Sequence, residues 1–277
     1  MGSIHKQRVW VVEEGRSTRK QDHLATEEPL EIRLQAGSET RTLAITMRTP
    51  GHDYELAAGF LFAENVIRQR EELGHMTYCV EDDPRSQEYN TLSVALRTEQ
   101  LPDLPQLQRH FFTNSACGVC GRTMLEDLSQ RHPQALPPGP VVEPELLYQL
   151  PGRLRQAQAL FQHTGGLHAA ALFDAQGQLL VVREDVGRHN ALDKLVGWGL
   201  LNDKLPFHDH IILVSGRASY ELLQKCLAAG APILCAVSAP STLAVALASQ
   251  FGLTLVGFLR ERRFNVYASP ERLAGIV

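Results

Sequence analysis

The sequence has few cysteines and no long apolar run. Five cysteines in 277 residues are an odd and sparse set, which excludes a disulfide-stapled fold. The apolar runs are interrupted by Ser, Gly, Gln or Arg well short of the length of a membrane span. The polar residues 1–8 are not followed by the apolar core of a signal peptide. We therefore expect a soluble, cytoplasmic protein that has no membrane partner.

An excess of positive charge is also missing. The formal net charge of -4 argues against nucleic-acid binding by bulk attraction, although it leaves room for a local basic pocket. Hydrophobic residues make up 44% of the chain and charged residues 21%, which is typical of globular proteins. The length predicts one large or two modest domains.

A proline-rich stretch separates two groups of predicted elements. Five prolines stand between residues 130 and 144, and proline interrupts the hydrogen bonding of helices and sheets. We therefore predict a linker at residues 131–144. An N-terminal α+β domain, residues 1–130, ends in the loop with the paired cysteines, and residues 145–277 form a C-terminal domain. The first 25 or so residues carry too little pattern to predict an element.

The N-terminal residues show strand-like alternation, and residues 49–53 have turn chemistry that ends at a helix start. This pattern predicts strands 31–34 and 43–47, a helix over 54–66, and strands 76–80 and 91–96.

Continuous apolar strands alternate with helices in the C-terminal half. This order predicts an α/β fold with a partly parallel sheet covered on both faces. The predicted elements are a helix 145–162, strands 169–173 and 179–183, a helix from about Asn190, strand 211–215, helix 219–229, strand 233–237, helix 241–251 and a final strand 253–258.

The pair Cys117 and Cys120 is the first site candidate. A glycine follows each cysteine, which leaves the sulfur accessible. A short helix predicted at residues 123–128 favours a thiolate at its N-terminus. These surroundings suit a zinc site, a redox dithiol or a persulfide carrier. The spacing of the two cysteines does not favour one of these three roles over the others.

Missing partner residues weaken the metal-binding roles of this pair. A structural zinc site needs four ligands, and the sequence has no second Cys-x-x-Cys and no histidine pair at finger spacing. A zinc deaminase needs His-x-Glu and Pro-Cys-x-x-Cys, but His-x-Glu is absent and Ala116 precedes Cys117. We expect no permanently bound metal.

The position of the pair weakens the redox role. A thioredoxin-like dithiol follows a first strand, whereas this pair follows a whole domain. The other cysteines lie in apolar segments and are predicted to be small buried hydrophobes; they are Cys79, Cys226 and Cys235.

Three polar segments follow strands that we predict to be neighbours. In open α/β sheets, ligands bind beyond the carboxyl ends of the strands. Arginine offers bidentate donors to phosphate, and a serine cap precedes a helix N-terminus that favours an anion. Each segment alone is typical of a cap or a solvated turn, and together they indicate an anion pocket. They are Ser215-Gly216-Arg217, Ser238-Ala239-Pro240-Ser241 and Arg260-Glu261-Arg262-Arg263.

Two further segments are less decisive. Residues 183–194 are dense in titratable groups, as active sites are, but their composition slightly favours a surface turn with solvated ion pairs. Residues 163–168 contain two glycines that suit either a tight turn or backbone N–H groups facing an anion.

Several long motifs, in order, resemble the formate dehydrogenase accessory (FdhD/NarQ) sulfurtransferase family over about residues 28 to 270. The resembling motifs are Thr49-Pro50-Gly51-His52-Asp53, Cys117-Gly118-Val119-Cys120-Gly121, residues 164–170, residues 184–194, Ser215-Gly216-Arg217-Ala218-Ser219-Tyr220-Glu221 and residues 236–244.

The resemblance implies a function and a set of site residues. A cysteine desulfurase donates a persulfide, which Cys117 carries and delivers to the molybdenum bis(molybdopterin guanine dinucleotide) cofactor before that cofactor enters apo-formate dehydrogenase. The cofactor is contacted by the segment Phe258-Leu259-Arg260-Glu261-Arg262-Arg263, with Ser215, Arg217 and Ser238 as further candidates. Some members have Pro-Gly where this chain has Glu261-Arg262. The resemblance also implies a homodimer and a cytidine-deaminase-like, three-layer C-terminal domain beside the smaller N-terminal domain.

Cys120 is the candidate assisting thiol, because attack by a neighbouring thiolate is the normal route of thiol–disulfide exchange. Two other functions remain alternatives: a chaperone that binds the cofactor without transferring sulfur, and a zinc-binding module.

Overall fold

The computed structural model describes residues 2–79, 89–102 and 136–276. Its helices and strands, in chain order, are β1 (Ile4–Glu13), β2 (Arg16–Ala25), β3 (Glu28–Ala36), β4 (Glu39–Arg48), α1 (Asp53–Ala63), β5 (Leu73–Tyr78), β6 (Thr91–Leu96), α2 (Pro144–Ala157), α3 (Ala159–Thr164), β7 (His168–Asp174), β8 (Leu179–Asp185), α4 (Arg188–Leu201), β9 (His210–Val214), α5 (Tyr220–Ala228), β10 (Ile233–Ala236), α6 (Thr242–Phe251), β11 (Thr254–Arg260) and β12 (Arg263–Ala268).

A four-stranded sheet forms the first part of the fold, in the order β4-β3-β6-β5. Successive side chains of a strand point to opposite faces, so Leu30, Ile32 and Leu34 of β3 share one face and are buried. They pack in one apolar cluster with Leu56 and Leu61 of α1. Helix α1 therefore covers this face of the sheet.

A six-stranded sheet forms the second part, in the order β12-β11-β10-β9-β7-β8. Strands β9, β10 and β11 are parallel, and the other pairs are antiparallel. One face packs against α4, α5 and α6, and the other packs against α2. The predicted α/β class and the partly parallel sheet with both faces covered are confirmed. The cytidine-deaminase-like arrangement stays a prediction. The domain limits, with the first domain ending at residue 130 and the second beginning at residue 145, also stay a prediction.

Helices α1 and α4 touch through their backbones. A Cβ atom built on Gly59 would lie 1.9 Å from the carbonyl oxygen of Asp193, and one on Gly197 would lie 1.8 Å from that of Glu55. Only glycine fits at these two positions, so the crossing depends on them. This contact joins the layer over the four-stranded sheet to the layer over the six-stranded sheet.

Three strands were missed from the sequence, and one predicted helix is wrong. Residues 4–25 form the antiparallel pair β1 and β2, here called the amino-terminal hairpin, and β12 follows the predicted last strand. The predicted helix over 145–162 is two helices that meet at Gln158 (φ -78°, ψ 74°). The break is stabilised by Glu184 of β8, whose carboxylate accepts hydrogen bonds from the backbone N–H groups of Leu160 and Phe161.

The described part of the predicted linker packs against the last elements of the chain. Leu136 N–H donates to the carbonyl of Phe251, and Val142 N–H donates to that of Arg272. Within the three described ranges, no helix is long and apolar enough to cross a membrane.

Candidate functional site

Cys117 and Cys120 lie outside the described residues, so their surroundings stay a prediction. Cys226 and Cys235 are fully buried in the core, as predicted, and burial raises the pKa of both thiols far above their usual range. Neither thiol is therefore a nucleophile near neutral pH. Cys79 is only half-buried, so the prediction of a buried hydrophobe is wrong for this residue.

The parallel strands bring two of the predicted polar segments together at one edge of the six-stranded sheet. Val214 and Ala236 are register partners at the ends of β9 and β10. Just beyond them, Ser238 N–H donates to Gly216 O (3.3 Å), and Phe258 N–H donates to Ser238 O (3.1 Å). Ser215 Oγ accepts from Ala169 N–H at 2.9 Å. We call this junction the strand-end edge.

The third segment projects past this edge. Strand β11 continues to Arg260 and turns back into β12, with an irregular register after Gly257 and a left-handed backbone at Phe258 (φ 52°). The side chain of Leu259 is fully buried in the core, so it is not available to contact a ligand. Glu261 and the neighbouring arginines are exposed. We call those arginines the turn arginines: Arg260, Arg262 and Arg263.

Helix α6 begins with the predicted serine cap. Ser241 Oγ accepts a hydrogen bond from Ala244 N–H at 3.2 Å. An N-cap of this kind satisfies one of the free N–H groups in the first helical turn. The cap lies in the same segment as Ser238, whose backbone joins the strand-end edge. Arg217, in the loop before α5, is exposed to solvent.

A cavity of about 560 Å³ opens beside the strand-end edge. Its volume lies within the range of small-ligand sites. Ser215 and Val237 line it from the strand ends, and residues of helices α2 and α3 also contribute to its lining. Most of the lining is apolar or backbone, with few polar side chains: Pro151, Leu154, Arg155, Gln158, Phe161, Gly165, Gly166, Leu167, His168, Ser215 and Val237.

Gln158 is the most deeply buried polar side chain in this lining. It is 4% exposed, and its Nε2 has no hydrogen-bond partner within the described part of the chain. An unsatisfied buried donor costs about 1–3 kcal/mol, so such a group calls for an explanation. The break between α2 and α3 places this amide at the cavity. Sequence reasoning missed Gln158, because the break that positions it was predicted as continuous helix.

Residues 183–194 are not a solvated turn, and the sequence-based preference was wrong there. Asp185 and Lys194 are almost fully buried and form an ion pair of 2.6 Å. Lys194 Nζ also donates to Thr49 O, and Thr49 N–H donates to Asp185 Oδ2. Asp185 Oδ1 accepts from Gly187 N–H and from the Asn190 amide. The network ties the segment before α1 to the start of α4.

Arg188 stands at the start of α4. Arg188 makes no ion pair with any residue of the described ranges, and its Nε is buried without a hydrogen-bond partner there. Burial, followed by the positive charge of Arg188, lowers the pKa of His168 and lowers that of His189 to about 4. Both imidazoles are therefore neutral at pH 7, and Arg188 supplies local positive charge beside the cavity residue His168.

No cluster of three or more potential metal ligands is found among residues 2–79, 89–102 and 136–276. The polar groups at the cavity and edge are serine hydroxyls, an amide, neutral histidines and arginines. Donors of this kind suit an anionic, oxygen-rich ligand.

Comparison with known proteins gives one consistent result. The FdhD/NarQ family profile matches residues 25–274. The chain is 50% identical to the sulfur carrier protein FdhD of Streptomyces coelicolor over 99% of this chain and 97% of that protein. It is 42% identical to the protein of the same name from Saccharolobus solfataricus over 95% of each chain. A crystal structure from Desulfotalea psychrophila, described as a formate dehydrogenase accessory protein, is similar with a TM-score of 0.75 and 27% identity over 98% of this chain and 100% of that chain.

Proposed function

The chain belongs to the FdhD/NarQ family, and from this membership we propose that it is a sulfurtransferase required for formate dehydrogenase activity. It carries persulfide sulfur on Cys117 from a cysteine desulfurase to the molybdenum bis(molybdopterin guanine dinucleotide) cofactor. The observation that carries this proposal is the 50% identity, along nearly the whole chain, to proteins named sulfur carrier protein FdhD.

The sulfur chemistry uses the paired cysteines. The Cys117 thiolate attacks the terminal sulfur of the desulfurase persulfide, so a new S–S bond forms on Cys117 and the desulfurase cysteine leaves as a thiolate. For release, the Cys120 thiolate attacks Cys117 Sγ. A Cys117–Cys120 disulfide forms, and the terminal sulfur leaves as hydrosulfide, reduced by the two electrons that the disulfide formation supplies. Two equivalents of a cellular thiol then reduce the Cys117–Cys120 disulfide and are themselves oxidised to a disulfide.

The cofactor is the acceptor and is held at the strand-end edge. The proposed contacts come from residues 258–263, with Ser215, Ser238 and Arg217 beside them. This assignment is supported by the donor chemistry, since the guanidinium groups at the turn face solvent without an ion-pair partner in the described residues and match phosphate oxygens in geometry. Leu259 contributes only backbone, because its side chain is buried.

The partners follow from the same proposal. The desulfurase supplies the sulfur and apo-formate dehydrogenase receives the loaded cofactor. The protein works as a homodimer in the cytoplasm and keeps no metal of its own.

The test is mass spectrometry of the full chain after incubation with a cysteine desulfurase and cysteine. We expect one added sulfur atom, about 32 Da, on Cys117. Cys117→Ala should abolish both this adduct and formate dehydrogenase activity. Full activity of a Cys120→Ala variant would show that Cys120 is dispensable. Absence of the adduct, with cofactor binding intact, would replace sulfur transfer by a chaperone role, and zinc in the purified protein would favour a zinc-binding module.

A further inference from the structure

The amino-terminal hairpin stands apart from the two larger sheets. Neither edge of this two-stranded sheet pairs with another strand of the described residues. At its base, Ser3 Oγ donates to Pro50 O at 2.9 Å, and β2 packs against α3. Beyond the base, residues 8–21 are exposed except for Val9 and Val11, which are half-buried. The six register pairs of this part extend over about 20 Å, and a two-stranded hairpin without a covering element is only marginally stable in water.

One face of the hairpin presents large apolar side chains to solvent. Trp10 and Val12 lie on the same face, because successive side chains of a strand alternate, and they are 62% and 68% exposed. The guanidinium of Arg19 lies 4.8 Å from the Trp10 ring, and Arg8 shares this face. Tryptophan and arginine are the residues that most often contribute the largest part of the binding energy between proteins. This face therefore has the composition of a protein interface.

The charge of the hairpin is opposite to that of the chain as a whole. Residues 4–25 contain five lysines and arginines and three acidic residues, so the hairpin is positive, whereas the whole chain has a formal net charge of -4. Complementary charge steers two proteins into contact and fixes their relative position. The partner that fits the hairpin is therefore a protein with an acidic surface.

The base of the hairpin lies beside the cavity at the strand-end edge. A Cβ atom built on Gly166 would lie 3.8 Å from the Cβ atom of Ala25, at the end of β2, and Gly166 lines the cavity. The ring centroids of His23 in β2 and His163 in α3 are 6.4 Å apart. A protein that docks on the hairpin is therefore held close to the proposed cofactor site. The partner that must approach this site is the enzyme that receives the cofactor.

We propose that the amino-terminal hairpin is a docking arm for apo-formate dehydrogenase. Trp10 and Val12 enter an apolar cleft of the enzyme, and Arg8 and Arg19 meet carboxylates at the rim of that cleft. The inference rests on the proposed function, because it takes apo-formate dehydrogenase as the receiver of the cofactor. It adds the surface through which the receiver is recognised.

The test is equilibrium binding of purified apo-formate dehydrogenase to the full chain, measured by biolayer interferometry. Trp10→Ser should weaken binding by about thirtyfold, the effect of truncating a tryptophan at the centre of an interface, and Val12→Ser should weaken it less. Ile45→Ser is the matched control, because Ile45 is a β-branched strand residue outside the hairpin that is 66% exposed. It should bind like wild type. Arg19→Glu should weaken binding more at low than at high salt.

Hydrogen exchange of the wild-type chain, followed by mass spectrometry, avoids the question of folding in a variant. The backbone amides of residues 4–25 should exchange more slowly when apo-formate dehydrogenase is added, because docking stabilises the hairpin. Trp10→Ser should still acquire the sulfur adduct on Cys117. It should support less formate dehydrogenase activity than Ile45→Ser when the accessory protein is limiting.

The outcomes separate this inference from the proposed function. The docking arm is overturned if Trp10→Ser binds the enzyme as tightly as wild type, or if residues 4–25 gain no protection. A change in the sedimentation of Trp10→Ser alone, with enzyme binding intact, would assign the hairpin to a second copy of the chain. Loss of the sulfur adduct in Trp10→Ser would assign it to the desulfurase, and either result overturns the inference. If wild type does not bind apo-formate dehydrogenase, the proposed receiver fails together with this inference, whereas the adduct on Cys117 is tested independently.

Discussion

The contact between α1 and α4 leads to a sharp prediction about Gly59. In an exposed helix, alanine is more favourable than glycine by about 1 kcal/mol. At Gly59 the added methyl group would lie 1.9 Å from a backbone carbonyl of α4, and a backbone cannot rotate away as a side chain can. The two helices must therefore separate by about 1 Å, which is overpacking of the kind that costs about 1–3 kcal/mol and occasionally more. We expect Gly59→Ala to lower the free energy of unfolding by about 2 kcal/mol.

Gly152 of α2 provides the matched control. It also lies inside a helix, but a Cβ atom built there meets nothing within 4 Å. Gly152→Ala should therefore leave stability unchanged or raise it by up to about 1 kcal/mol. The contrast between the two variants isolates the helix crossing, because the chemical change is the same in both.

The measurement is urea unfolding of wild type and both variants, followed by far-UV circular dichroism at one pH and one protein concentration. If the unfolding free energy has the same slope against urea concentration in all three proteins, the variants unfold as wild type does. The unfolding midpoints then report differences in stability. Gly197→Ala should repeat the result from the other side of the crossing. A Gly59→Ala protein as stable as Gly152→Ala would refute the backbone contact as the reason for glycine.

Three further predictions concern charge. Lys194→Met leaves Asp185 buried without its partner and should lower the free energy of unfolding by about 3–5 kcal/mol; urea curves test this, and Asp185→Asn in the same chain should recover part of the loss. The pKa of His189 is lowered to about 4, so the unfolded state takes up the proton first and stability falls as the pH drops from about 6.5 to 4. His189→Gln should lose less stability than wild type between pH 7 and 5, and identical urea midpoints for the two proteins at every pH would contradict this. Alanine at all three turn arginines should weaken GDP binding about tenfold, more at low than at high salt, and an unchanged calorimetric titration would exclude these contacts.

Much of the fold follows from local pattern. Apolar alternation located β3 and β4, and turn chemistry predicted the start of α1 at about residue 54, one residue after its actual start at Asp53. Ser238 and Ser241 were both predicted as possible caps of α6, and Ser241 is the one whose side chain caps the helix. Such features depend on residues close in sequence, which is why a single sequence predicts them.

The features that were missed depend on distant residues. The split between α2 and α3 is stabilised by Glu184, which lies more than twenty residues later. The buried pair of Asp185 and Lys194 was mistaken for a surface turn, because the Thr49 segment that covers it is far away in sequence. The amino-terminal hairpin is an exception, because Gly15 follows the apolar residues 9–12 and is a local turn signal in the sequence. In the structure, Glu14 and Gly15 both have positive φ angles.

The same hairpin gives the protein a built-in optical probe. The chain has two tryptophans. Trp10 is 62% exposed, with the guanidinium of Arg19 4.8 Å from its ring, whereas Trp198 of α4 is partly buried and packs against the core. A water-soluble quencher should therefore quench the Trp10 indole more strongly than the Trp198 indole. The quenched part of the fluorescence therefore reports on the surface of the hairpin, and the protected part reports on the packing of α4.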